Sequence, residues 1–374
     1  MIGAKMSMDY VFKVFDYLHS HPEVSGEEIV TSEYLAGELK KSGFKVKEQV
    51  NGSRGVIGVW DSGKKGKKIA LRADMDALPY IEEGKRVAKH TCGHDAHCAM
   101  VLAAAKQIQN HELSGGTLVV IFQPSEETHT GALDMANSGF LNEVDEMIGI
   151  HIRPQEEMKA GQATCGLCHG AICLCRVVVD GVSAHGARPQ QGRNAVEAAI
   201  AMIQSIYTVH VDSRISHSCK VTRFVGGGVE NIIPDHAEFT LDIRSQTNLI
   251  ADEMKDKIAN IVRCVASAYG VGVEIDMNDT VPAAEYDEMM MQDAKEVIRE
   301  VLGKENALEP IETPGGEDFH FYKQILQKCK MVYIGIGADA YPGLHNRDMQ
   351  FKHEIMEKGV EILEKLVRKR LESL

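Results

Sequence analysis

A chain of 374 residues, 44% hydrophobic and 25% charged, has the length for two domains and the composition of a globular protein. Its 54 acidic and 41 basic residues leave a net charge of -13, which offers no electrostatic footprint for nucleic acid or an anionic membrane. No run of about 18 apolar residues occurs and charge interrupts the first 28 positions, so neither a membrane span nor a secretory signal is expected, and the nine cysteines, an odd number, fit reduced thiols in the cytoplasm.

Val11, Phe12, Val14, Phe15 and Leu18 repeat at helical spacing and predict a helix over 9–22, closed by His21-Pro22. Ser25-Gly26-Glu27-Glu28 reads as the capped start of a second helix running to about Lys41, with Gly43 just past its end. Strands are expected over 46–50, 56–60 and 69–73, separated by Gly, Asp and Lys turn residues. A helix over 99–110 follows. The unbroken β-branched run at 117–122 then fits a buried parallel strand, and 147–150 reads as another. From about Leu174 the order is strand 177–179, helix 194–206, strands 220–225 and 237–244, helix 250–269 and strand 271–277. That β-α-β-β-α-β order is a split βαβ unit and reads as an insertion. A helix over 287–301, a Gly-rich turn, a strand over 331–336 and a helix over 352–371 complete the chain.

Chemistry concentrates in His90-Thr91-Cys92-Gly93-His94-Asp95-Ala96-His97-Cys98. Imidazole, thiolate and carboxylate in so short a stretch suit a divalent transition metal. The plainer alternative is a polar turn opening a helix, with Asp95 as its cap. Four further segments end apolar runs with ligand-type residues: Asp74 and Asp76 after one strand, Glu126-Glu127 after another, and the lone histidines His151 and His345. In α/β sheets such strand ends are where ligand and catalytic groups collect.

Together with Leu71–Pro79, Ser183-Ala184-His185, Glu230-Asn231-Ile232-Ile233-Pro234-Asp235 and Gly316-Glu317-Asp318-Phe319, these segments resemble the aminoacylase/carboxypeptidase metallopeptidase family over nearly the whole chain. The likeness is to its amidohydrolase branch, which includes hippurate hydrolases, auxin-conjugate hydrolases and N-acyl-amino-acid deacetylases. The resemblance implies an α/β fold: a mixed-sheet, zinc-peptidase-like catalytic domain (1–173 and 283–374) with an inserted α+β, ferredoxin-like lid and dimerisation domain (174–282). It implies that Cys92, His94, Glu127, His151 and His345 hold two divalent ions, Mn2+ or Zn2+ with Co2+ or Ni2+ as alternatives. It also implies Glu126 as general base, with Asp74, Asp76, Asp95, His97 and Glu317 as supporting groups that orient the ligands. In the lid it implies His185 polarising the scissile carbonyl and Asn231 and Arg244 holding the substrate's carbonyl or carboxylate. The expected substrate is a small N-acyl amino acid or related amide, and the expected assembly is a homodimer through the lid.

Tyr80 to Thr91 is shorter than the segment this resemblance leads one to expect and carries Lys85, Arg86 and Lys89; Arg188 likewise stands where a smaller or apolar residue is expected, as a group that would favour acidic substrates. The run Cys165 to Cys175 holds four cysteines and a histidine, but its second pair is too closely spaced for a usual zinc site, so packing is the favoured role. Three other readings stand beside the leading one. They are a dipeptidase or carboxypeptidase of the same superfamily, a catalytically silent binding dimer, and a thiol redox sensor built on that cysteine run.

Overall fold

The computed structural model describes residues 2–110, 115–313 and 315–372. They form two compact units. The first comprises Met1–Leu167, Glu285–Ile311 and Glu317–Leu374, the second Cys168–Ala284 and Glu312–Gly316.

The first unit is built on an eight-stranded mixed sheet. Its centre is four parallel strands in the order Thr117–Gln123, Lys68–Asp74, Glu146–Pro154 and Lys330–Ala340. Val56–Asp61 joins antiparallel beside Thr117–Gln123, and Lys45–Lys47 forms the edge beyond it. Alternate residues feed opposite faces: Ile69, Leu71, Leu118, Val120, Ile148 and Ile150 enter one core, whereas Ala70, Val119, Ile121 and Met147 enter the other. Cover on both faces is why these strands read as continuous apolar runs rather than alternating ones.

Gly149 sits in the middle of this sheet. A Cβ there would meet Tyr333 Cδ2 at 2.2 Å and Phe319 Cε2 at 3.2 Å, two rings stacked with centroids 4.7 Å apart. Gly149→Ala is therefore expected to lower stability by about 1–3 kcal/mol through overpacking, read as a fall in the urea midpoint at unchanged slope.

Three local expectations are corrected. The helix expected from residue 99 spans His94–Asn110, so the metal-type cluster forms its first turn. The strand expected over 46–50 shortens to Lys45–Lys47, because Gln49 and Asn51 turn into the left-handed region (φ 51° and 54°). The helix Ile29–Lys41 begins where expected, but Glu28 makes no cap bond. Its cap is Glu23, whose carboxylate accepts the Val30 and Thr31 N–H groups at 3.1 and 2.8 Å.

The second unit is a four-stranded antiparallel sheet in the order His217–Gly226, His236–Ser245, Ala171–Asp180 and Gly272–Val281. The helices Ala195–Ile206 and Asn248–Tyr269 pack on it through one core. This is the ferredoxin-like arrangement. Asn194 caps the first helix through bonds from the Val196 and Glu197 N–H groups, and Gly270, at φ 67°, ends the second. Cys173 and Cys175 alternate into that core and Cys165 into a core of the first unit. All nine cysteines are free, and no group of potential metal donors among the described residues includes any from Cys165 to Cys175.

Candidate metal centre

Four chain segments converge at the carboxyl ends of the parallel strands. Lys68–Asp74 ends in Asp74 and leads to Asp76, Thr117–Gln123 leads to Glu126 and Glu127, Glu146–Pro154 carries His151, and the helix His94–Asn110 starts beside them. Oxygen, nitrogen and sulfur atoms of Cys92, His94 and His151 lie within 4.8 Å of one another, as do those of Cys92, Glu127 and His345, and those of His94, Glu126 and Glu127. The chain thus gathers Cys92, His94, Glu126, Glu127, His151 and His345 into one place.

The buried imidazoles of His94 and His151 are each held from behind. His94 donates Nδ1–H to the Asp76 carbonyl (2.9 Å), with Asp76 Oδ1 at 3.2 Å. Its Nε2 then faces Glu127, Glu126 and Asp74 at 3.8, 3.9 and 3.9 Å. His151 gives its Nδ1–H to the Ile152 carbonyl (2.6 Å) and presents Nε2 to Cys92 Sγ at 3.5 Å. Asp76 also accepts Ser25 Oγ–H at 2.7 Å and the Glu127 N–H at 3.1 Å, so one carboxylate orients both a histidine and a glutamate. His97 spends both nitrogens: Nδ1–H goes to Asp74 (2.7 Å), and Nε2 accepts the Ile152 N–H (3.0 Å). That fixes its tautomer and leaves it no lone pair to offer.

Within this cluster, His94 Nε2 and Glu127 Oε1 are buried with no hydrogen-bond partner, the latter 3.4 Å from His345 Nε2. Leaving such atoms unpaired costs roughly 1–3 kcal/mol each. The surroundings are also short of positive charge. Burial, with Asp76 and Asp74 nearby, pushes Glu127 up to about 7 against the pull of His94. Burial opposes charge on His94, yet Asp74, Cys92 and Asp76 outweigh it and hold that imidazole well above its usual range. A cluster that draws protons onto its donors is one a cation would fit, and mixed N, O and S donors suit a borderline transition ion.

Glu126 is buried, its Oε1 3.5 Å from the Asp318 N–H. Burial and the neighbouring Glu317, Asp318 and Glu127 carboxylates hold it well above the normal carboxylate range, which makes it a stronger base. The turn that aims it starts at Ser125, whose φ of 55° is held by a bond from the Ser125 N–H to Glu28 Oε1 at 2.8 Å. Glu317 accepts Tyr333 O–H at 2.8 Å.

Beneath lies Arg72, fully buried. It donates to Asp74 (2.7 Å), Asp318 (2.8 Å) and Gln123 (2.9 Å), and stands 3.2 Å from Glu317. Sequence reading gave no role to Arg72, Gln123, Asp318 or Tyr333, and took Glu28 for part of a helix cap rather than the partner of Ser125. The available signal was a lone charge inside an apolar strand, Arg72 between Leu71 and Ala73. One expectation is overturned: Asp95 does not face the ligand histidines. Its Oδ2 instead accepts His19 Nδ1–H at 2.7 Å.

His185, Asn231 and Arg244 belong to the second unit. His185 pairs with Ile232 in a two-stranded ribbon, and the Gly186 N–H donates to the Asn231 carbonyl at 2.7 Å, so these two sit together. Arg244 lies near the far end of the strand His236–Ser245, its Nε 3.0 Å from Asp242. Arg188 is exposed at the start of the short turn Pro189–Gln191.

Buried thiol, imidazole and carboxylate donors at the ends of a parallel sheet, with a proton-hungry glutamate beside them, define the class as a metallo-hydrolase. The profile of peptidase family M20/M25/M40 matches residues 70–369. The chain belongs to that family of peptidases and amidohydrolases. It is 31% identical over 373 residues to a hippurate hydrolase of Campylobacter jejuni, covering 96% of both chains. It is equally 31% identical over 344 residues to thermostable carboxypeptidase 2 of Saccharolobus solfataricus, covering 88% of this chain and 86% of that one. Among solved structures, a putative aminohydrolase from methicillin-resistant Staphylococcus aureus superposes with a TM-score of 0.90 at 26% identity, over 99% of this chain and 98% of that one. Among the described residues, no helix is long and apolar enough to cross a membrane.

Proposed function

We propose that this enzyme hydrolyses the amide bond of small N-acyl amino acids, with two divalent ions held by Cys92, His94, Glu127, His151 and His345. The observation that carries this reading is the pair of buried, unpartnered donors, His94 Nε2 and Glu127 Oε1, beside Glu126. Ions bound there would supply Lewis acidity toward water and the amide carbonyl, and Cys92, whose thiol burial pushes up, would hold one of them as the thiolate. Zn2+ suits the sulfur and nitrogen donors by intrinsic affinity, Mn2+ would draw on the Glu127 carboxylate and water, and Co2+ or Ni2+ are alternatives.

The chain's own residues do the remaining work. Glu126 accepts a proton from the attacking water and returns it to the leaving nitrogen, a task suited to a carboxylate whose proton affinity burial and its carboxylate neighbours raise. Asp74, Asp76 and Glu317 hold the surrounding groups in place. From the second unit, acting as a lid and as the dimer contact, His185 and Asn231 serve the scissile carbonyl and Arg244 takes the substrate carboxylate through its guanidinium.

Carboxypeptidase or dipeptidase action is the second reading, favoured by the carboxypeptidase relative of equal identity. One experiment separates the two. Chelator-treated enzyme reloaded with Mn2+ or Zn2+ is given N-acetyl, N-benzoyl and longer N-acyl amino acids alongside dipeptides, and amino-acid release is followed. Metal-dependent release from the N-acyl set is the expected result; release from dipeptides alone would overturn the proposal.

A further inference from the structure

His345 differs from the other candidate ligands. Cys92, His94 and His151 are buried, whereas the His345 side chain is 54% exposed. It lies on the loop between the strand Lys330–Ala340 and the helix Ile355–Glu372, and its φ of 63° puts a non-glycine residue in the left-handed region, a conformation that persists only when its surroundings enforce it. Beside it Leu344 packs against the core, and hydrogen bonds hold His345 itself.

The His345 N–H donates to the Thr91 carbonyl at 2.9 Å. Tyr80 O–H donates to the His345 carbonyl at 2.8 Å, and Tyr80 Oη lies 2.7 Å from Thr91 Oγ1. The phenol has one proton, used on His345, so Thr91 is the donor in that last bond. Both backbone groups of His345 are thus tied, in a closed ring, to Thr91. Thr91 is buried and immediately precedes Cys92, which shares a donor group with Glu127 and His345.

Tyr80 has local support of its own. It sits on the hairpin Leu78–Glu82 and Lys85–Lys89, closed by Glu83-Gly84 with both φ positive (49° and 76°), the turn whose twist matches paired strands. From the same hairpin Glu82 accepts Arg347 at 2.7 Å and Lys89 at 2.5 Å. The hairpin therefore grips the His345 loop through Tyr80, Glu82 and Lys89, whose Nζ donates to the Arg347 carbonyl at 3.5 Å. This is the segment whose length and charge set the sequence apart from its resemblance.

We infer that Tyr80 is a positioning residue for His345: its hydroxyl, through the ring with Thr91, presets one of the two ion positions. The inference rests on the metal reading given above. An exposed ligand on an unsupported loop must be ordered when the ion arrives, and a preset one need not be. Loss of such a group behind a ligand weakens metal affinity by about 10–100-fold.

The test is uptake of Zn2+ and Mn2+ by the chelator-treated full chain, titrated against a chromophoric chelator, with melting of the ion-free protein measured alongside. Wild type is expected to take two ions and His345→Ala to lose one, which identifies the position. Tyr80→Phe should bind that same ion at least about 10-fold more weakly, leave the other unchanged, and melt ion-free like wild type. Thr91→Val should reproduce the shift, and the double variant should add little to it. Unchanged affinity for both ions in Tyr80→Phe would overturn the role, as would equal weakening of both with a lowered ion-free melting temperature. Wild type taking up fewer than two ions, or His345→Ala losing none, would instead bring down the metal reading and this inference with it.

Discussion

Glu126→Gln is expected to lower kcat on the best N-acyl amino acid by about 10²–10⁴-fold, the range for losing a general acid–base, without loss of bound metal. Glutamine keeps the shape and an acceptor oxygen for the Asp318 N–H but cannot take a proton from water. Stability gives the second half of the expectation. Glu126 is crowded by Glu317, Asp318 and Glu127, so removing its charge relieves repulsion, and the ion-free variant should melt no lower than wild type. Activity within tenfold of wild type would remove Glu126 from the base role. A loss of activity accompanied by loss of ions would make it a ligand instead.

Arg72→Met is expected to be the most damaging substitution for the fold. Methionine fills much of the volume but leaves Asp74, Glu317 and Asp318 in a dry interior without their shared cation. Breaking a buried ion network from one side costs about 3–5 kcal/mol. The deficit should depend on pH, and its sign follows from Asp318. Burial pushes that carboxyl up to about 8, with Glu317 adding to the rise and Arg72 opposing it. Its folded value lies above the unfolded one, so its contribution is most favourable at low pH and declines as pH climbs toward 8. Without Arg72 the folded value rises further, and the gap to wild type widens with pH. Urea unfolding of both ion-free proteins at pH 5.5 and pH 8 checks this. A gap that is equal at both, or larger at pH 5.5, would show that the carboxylates find another counter-charge.

Much of the fold was legible because local chemistry and tertiary need coincide. The apolar run over 117–122 can only be buried on both faces, and Asn194, Thr247 and Asp287 cap their helices through side-chain bonds that the residues themselves favour. Misreadings fell where a side chain was taken by a distant partner. Ser25 and Glu28 look like a local cap. Ser25 instead reaches Asp76, and Glu28 reaches Ser125 97 residues away, while Glu23 does the capping.

The candidate site divides along the same line. Sequence by itself determined which residue types are present and that several end apolar runs, enough to mark the His90–Cys98 stretch with Asp74, Asp76, Glu126, Glu127, His151 and His345; the family resemblance narrowed that set to Cys92, His94, Glu126, Glu127, His151 and His345. Only the tertiary structure decided their division of labour. Asp76 faces His94 whereas Asp95 turns to His19, His97 has both nitrogens occupied, and Arg72 gathers the carboxylates behind Glu126. Spacing along a chain fixes which face of an element a side chain takes, but hydrogen-bond partners tens to hundreds of residues away fix where its lone pairs point, and those contacts exist only once the parallel strands have brought their ends together.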